Sequence, residues 1–234
     1  MNSFSTRLSW EKTLNTHKQK FDLELVIHPF TNGKIIINYP GAEGSIDGYN
    51  EKYRKLAEYI VTQSLAAVVR LPNPYTFGFG WDMNLRQALA YVLEQSKNIC
   101  KSNDPTIYLM GFSAGAGAIA SIAWEYPQVK KILLMEPAPN VGEQGVTEGL
   151  GQYKGEVYVV VGGGDEALGS VVGNQFIDAA INACKKEIVI IPNCDHQFKG
   201  EVNGRIISEA PFYAFSEKNK PKFPDPNGGI KLYD

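Results

Sequence analysis

Apolar residues alternate with polar ones at the start of this chain and then give way to short apolar blocks separated by helical patterns. Leu8, Trp10 and, after a polar break, Leu14 alternate, and Phe21, Leu23, Leu25 and Ile27 do so more cleanly. Alternation with a period of two predicts half-buried antiparallel strands at one side of a sheet. Thr31-Asn32-Gly33 is a turn signal, and Lys34–Tyr39 is a strand apolar on both faces. Beyond it, helical spacing covers Tyr49–Gln63, and Leu65–Val69 is a short buried strand. Asp82–Cys100 forms a long amphipathic helix with Asp82 as its N-cap. Strands follow at Thr106–Met110, Lys130–Met135, Glu156–Val161 and Glu187–Ile191, with helices at Ala116–Trp124, Leu168–Cys184 and Val202–Phe215. Strands alternating with helices predict an α/β fold: a mostly parallel sheet, helices on both faces and a hairpin-like antiparallel start. No repeat or composition shift divides residues 1–234, so one domain is expected, with 219–234 as a surface tail.

Composition narrows the partners. With 44% hydrophobic and 21% charged residues and a net charge of −2, the chain carries no basic footprint for nucleic acid and no polybasic membrane patch. The first twenty residues lack the apolar core of a signal peptide, and no stretch is long enough to span a bilayer. Cys100, Cys184 and Cys194 are scattered and without C-x-x-C spacing, so reduced thiols in a cytoplasmic protein are expected rather than a zinc site.

The richest chemistry lies in Gly111-Phe112-Ser113-Ala114-Gly115, a G-x-S-x-G pentapeptide between an apolar strand and a small-residue helix. A strand-to-helix turn this sharp strains the serine backbone and leaves no room for side chains on either flank, which glycine at 111 and 115 answers. The Ser113 hydroxyl then stands exposed at the strand tip, over a helix N-terminus. A serine hydroxyl needs a base to become nucleophilic, and the base needs an orienting acid. Of the three histidines, His17 lies in the polar N-terminal segment and His28 ends an early strand, whereas His196 follows the last strand. For the acid, Asp165 comes after a strand and three glycines at 162–164. Glu136, at the end of the preceding strand, is its rival; Asp195 adjoins His196 too closely to orient that ring.

The chain order Ser113, Asp165, His196 matches the α/β-hydrolase fold. The sequence resembles a small α/β-hydrolase, similar to the dienelactone hydrolase and compact esterase branch, over nearly its whole length. The resemblance implies Ser113 as nucleophile, His196 as general base and then acid, Asp165 as its partner, and acyl transfer to water through an acyl-enzyme. It also implies an oxyanion hole built from the N–H of Ala114 and one from Tyr39-Pro40-Gly41-Ala42-Glu43-Gly44. That loop resembles the family's His-Gly loop with proline in place of histidine; Ala42 is the favoured donor, with Gly41 and Glu43 as alternatives. Gly41 belongs to the expected substrate site, as do Tyr75, Phe77 and Phe79 of the 71–81 loop, an aromatic wall or simply packing over the sheet's end.

No metal or organic cofactor is required, and Gly162–Gly164 lacks the G-K-[ST] of a phosphate loop. Pro137–Gly155 is too short and polar for a helical lid, which predicts an open, shallow site. A small or medium ester or thioester is the expected substrate. The alternatives are a peptidase or acyltransferase on the same three residues, and a non-catalytic small-molecule binder on the same scaffold.

Overall fold

The computed structural model describes residues 3–14, 17–74, 81–139, 145–217 and 222–224. Tyr75, Phe77 and Phe79, and most of the tail beyond 217, lie outside the described residues. The chain begins with two long strands, β1 (Phe4–Leu14) and β2 (His17–His28), paired antiparallel. Trp10 faces Phe21 across this pair, and their rings stack 5.6 Å apart. The alternation of Phe21, Leu23, Leu25 and Ile27 is the buried face of β2.

From β3 (Lys34–Tyr39) onward, strands and helices alternate. They are α1 (Lys52–Thr62), β4 (Ala67–Arg70), α2 (Trp81–Cys100), β5 (Thr106–Phe112), α3 (Ala114–Ile122), β6 (Val129–Met135), α4 (Val146–Gln152), β7 (Glu156–Gly162), α5 (Gly169–Ala179), β8 (Lys185–Ile191) and α6 (Glu201–Phe215). All eight strands form one sheet in the order β1-β2-β4-β3-β5-β6-β7-β8. Pairing is parallel from β4 through β8, and β2 runs antiparallel to β4.

The central strands are apolar on both faces because both are covered. Ile35, Ile37, Leu109, Leu134 and Val159 pack against Leu85, Leu89, Ile119, Leu150 and Phe176 of α2 to α5. On the opposite face, Ile36, Val68, Tyr108, Met110 and Leu133 meet Leu56, Ile60, Ile207 and Phe215 of α1 and α6. No helix among the described residues is long and apolar enough to cross a membrane.

Several boundaries depart from the sequence pattern for local reasons. Asn50 and Glu51 have positive φ (50° and 60°), so the regular helix starts only at Lys52. Asp82 lies within the first turn of α2 rather than capping it, and its carboxylate accepts from Arg86 Nε at 3.2 Å. The helix after Asp165 ends at Ala179, and the Cys184 N–H instead bonds the Lys154 carbonyl at 3.2 Å. The segment 137–155, expected to be too short and polar for a helical lid, contains α4. Its two glycines disguise a helix that exists because of close packing: a Cβ at Gly149 would stand 2.4 Å from the Ala120 and Ser121 carbonyl oxygens of α3. The helix thus covers the sheet rather than the strand tips.

Replacing Gly149 by alanine is therefore expected to lower the melting temperature, by an overpacking cost of about 1–3 kcal/mol, despite alanine's better helix propensity. Thermal unfolding followed by circular dichroism checks it; an unchanged or higher melting temperature would refute the tight α3–α4 contact.

Candidate active site

Parallel strands end together, so loops leaving β3, β5, β6, β7 and β8 meet at one rim of the sheet. Ser113 sits between β5 and α3 with φ 50° and ψ −118°, a conformation costly for any residue with a side chain. What enforces it is the packing on either flank. A Cβ at Gly111 would lie 2.6 Å from Ile119 Cδ1 and 2.7 Å from the Ala116 nitrogen. One at Gly115 would lie 2.3 Å from the Pro40 oxygen and 2.4 Å from that of Tyr39. The Ser113 N–H donates to the Met135 carbonyl at 2.9 Å, and its own carbonyl accepts from Gly117 and Ala138 N–H groups, both at 3.1 Å. The turn is held from three sides.

Ala114 opens α3, where the first N–H groups have no partner within the helix and the macrodipole favours negative charge. Gly41 faces the serine so closely that a Cβ there would be 3.1 Å from Ser113 Cβ. The 40–44 loop is clamped by Asn73, which is fully buried. Asn73 donates from Nδ2 to the Pro40 carbonyl at 3.1 Å and from its backbone N–H to the Gly44 carbonyl at 2.8 Å. The sequence reading overlooked this asparagine, whose only signal is a polar residue shortly after a buried strand.

Asp165 and His196 meet: Oδ2 lies 2.8 Å from Nδ1. The other Asp165 oxygen accepts from the Ala167 and Leu168 N–H groups at 2.9 and 3.2 Å. Burial works against its charge, but the Leu168 N–H, His196 and the Ala167 N–H outweigh burial and hold its pKa below the usual aspartate value. An ionised Asp165 fixes the proton of a neutral imidazole on Nδ1 and leaves Nε2 as an acceptor. His28 and His17 lie elsewhere. His28 is buried beside Arg70, whose Nε donates to its Nε2 at 3.2 Å, and burial together with that cation lowers its pKa to about 4. His17 starts β2.

Glu136 directly follows β6, with φ 44°, and is wholly buried. Its Oε1 accepts the Gly162 N–H, and its Oε2 lies 4.0 Å from His196 Nδ1. Burial raises its pKa from 4.5 to about 8; the Gly162 N–H opposes the rise and the nearby Asp165 and Asp195 charges add to it. Glu136, Asp165 and His196 are the one cluster of potential metal donors found among the described residues, with ligand atoms within 4.8 Å of one another. Glu136 Oε1 is committed to a backbone N–H and His196 Nδ1 to Asp165, a pattern suited to holding a proton rather than enclosing a cation.

Ser113 and His196 line a cleft of about 1180 Å³. Its walls are the 40–45 loop with Gly41 and Ala42, the turn and first residues of α1 with Tyr49 before the helix and Lys52 and Tyr53 within it, and the 197–207 stretch leading into α6. The α1 and α6 walls were not anticipated from sequence. The Phe112 ring lies 5.4 Å from that of His196, and the Lys52 ammonium lies 5.5 Å from the Phe112 centroid. Burial lowers the Lys52 pKa.

The architecture and the strained strand-to-helix serine define an α/β-hydrolase fold. Solved structures share it throughout. The esterase domain of a Rhodothermus marinus protein superposes with a TM-score of 0.63 at 14% identity, covering 89% of this chain and 95% of that one. Dienelactone hydrolase from Anabaena variabilis gives 0.60 at 18% identity over 90% and 99%. Est1E from Butyrivibrio proteoclasticus gives 0.58 at 15% identity over 86% and 95%. No family model and no curated protein matches the sequence.

A Glu136→Gln variant is expected to be more stable than wild type at alkaline pH. The raised pKa means the folded protein favours the protonated acid. That stabilisation is complete below about pH 4.5 and is lost as pH rises through about 8. The neutral amide escapes the loss, so its melting-temperature advantage should grow between pH 5 and pH 9. Melting curves across that range check the sign; an advantage that shrinks with pH would contradict it.

Proposed function

We propose that the protein is a serine hydrolase acting on small or medium carboxylic esters or thioesters, with Ser113 as nucleophile, His196 as general base and Asp165 as its orienting acid. One observation carries the reading: a strained serine at a helix N-terminus shares a cleft with a histidine whose far nitrogen is bound 2.8 Å from a carboxylate. Attack of Ser113 Oγ on the acyl carbon sends its proton to His196 Nε2. The imidazolium, stabilised by Asp165, returns it to the leaving alcohol or thiol. Water then repeats the sequence on the acyl-serine.

The tetrahedral oxygen is received by the Ala114 N–H and by an N–H of the 40–44 loop, which we assign to Ala42. Each such donor is worth about 2.7–4 kcal/mol at the transition state. The close approach of Gly41 to Ser113 and the burial of Asn73 support this second donor. Hydrolysis is favoured over acyl transfer because the His196 side chain is 32% exposed, which gives water access to the base. The similarity to esterases and a dienelactone hydrolase agrees with the ester reading. Gly41 forms part of the acyl-binding surface in this reading.

A fluorophosphonate probe should label the wild type and not Ser113→Ala, and p-nitrophenyl esters should be turned over only by the former. A folded wild type that neither labels nor turns over any ester would overturn the proposal. Asn73→Ala, which removes the side-chain donor to the Pro40 carbonyl and loosens the loop, should lower kcat about tenfold or more with a smaller change in KM. Steady-state kinetics on the best ester of the panel check this; an unaltered kcat would remove the loop from the oxyanion site.

A further inference from the structure

We propose that Glu136 is a positioning residue for the Asp165–His196 pair, keeping a proton on Oε2 and donating it to the Asp165 carboxylate. Two buried carboxyls thus share one proton behind the imidazole. The effect on rate rests on the hydrolase reading above; the proton's place does not.

The geometry makes the arrangement hard to avoid. Glu136 is 0% exposed, and its Oε2 has no hydrogen-bond donor among the described residues. Its position at the end of β6, next to β7, brings it against the carboxyl that follows β7. Within 4.0 Å, the one ion-pair partner of either carboxyl among the described residues is His196. Facing Glu136 are Asp165 and the Gly162 N–H from the end of β7, and Cys194, Asp195 and His196 from the loop after β8. Apart from His196 when protonated, none of these is a cation. Two neighbouring carboxylates without a cation cannot both ionise cheaply, so one keeps its proton. Asp165 holds its charge with two backbone N–H groups and the imidazole, whereas Glu136 has a single backbone N–H. The proton therefore belongs to Glu136.

A protonated Glu136 gives its unpaired oxygen a use and locks Asp165 from a second direction. It also sets the charge of the cluster. At rest the three groups total −1, and the cluster becomes neutral when His196 takes the serine proton. An ionised Glu136 would leave an extra negative charge beside the imidazolium, holding on to the proton that the leaving group needs. The burial-raised pKa of about 8 places this failure on the alkaline limb.

The test is the proton NMR resonance of His196 Nδ1–H, assigned by its loss in His196→Gln. It is followed from pH 6 to pH 10 in wild type, Glu136→Gln and Glu136→Leu, without substrate. The wild-type shift should show an inflection near pH 8 that both variants lack. The glutamine, which still has an N–H to offer Asp165, should keep the resonance near its low-pH wild-type position, and the leucine should displace it. For an ester the protein turns over, the leucine should lower kcat/KM at pH 7 about tenfold, with glutamine restoring most of the loss. Identical titration of wild type and Glu136→Gln would overturn the proposal, and so would a leucine variant whose resonance does not move. If the leucine variant does not fold, the presence or absence of the inflection in glutamine decides alone. Absence of ester turnover with the expected titration would sink the hydrolase reading and leave this one standing.

Discussion

A single backbone contact sets the geometry on which the rest depends. The N-terminus of α3 is pressed against the end of β3 so tightly that Gly115 meets the Tyr39 and Pro40 carbonyl oxygens with no room for a Cβ. On the other flank, Gly111 is pinned by the first turn of the same helix and by Ile119. Between them the chain has one way to reverse, and Ser113 takes the unfavourable backbone angles that result. The same contact brings the 40–44 loop beside the serine and aims the start of a helix at the space in front of it. Serine, helix dipole and loop are thus placed by one steric event rather than by three separate adjustments.

Around that point, two carboxyls of similar chemistry are given opposite characters by their surroundings. Asp165 follows β7 on a backbone that turns back, so its side chain receives N–H groups from Ala167 and Leu168 and stays charged. Glu136, at a strand end with positive φ, is turned into the protein, where one backbone N–H is too little to hold a charge. The imidazole between solvent and these two groups sees one anion and one neutral acid. Environment, not residue type, divides the roles.

Much of this was legible in the sequence because it rests on periodicity and on small residues. The two-residue alternation of β2, the apolar blocks of β3 to β7 and the glycines flanking Ser113 each encode a packing demand that a sequence states directly. Histidines so few that two could be set aside made His196 conspicuous. What escaped was what depends on contacts far along the chain. Helix α4 has poor local propensity and is held by α3; the Asn73 side chain gains its meaning only from a carbonyl 33 positions earlier. The choice between Asp165 and Glu136 was open for the same reason. Both follow strands, and only the donor groups around each oxygen separate them.

The loop beside the serine shows how the rim of the sheet is held rigid by a residue far along the chain. At 14–18% identity, structures of the same fold share few residues with this chain over 86–90% of its length. Proline at 40, where the resembling loop has histidine, removes both a backbone donor and a side chain that could anchor the turn. Asn73 supplies the anchor from the other side: its side-chain amide takes the Pro40 carbonyl, and its backbone holds Gly44. The proposed oxyanion site requires a rigid loop N–H beside the serine, and it is indifferent to which residue provides the rigidity. A buried amide bonded to backbone carbonyls meets it, because breaking it would strand those carbonyls away from water.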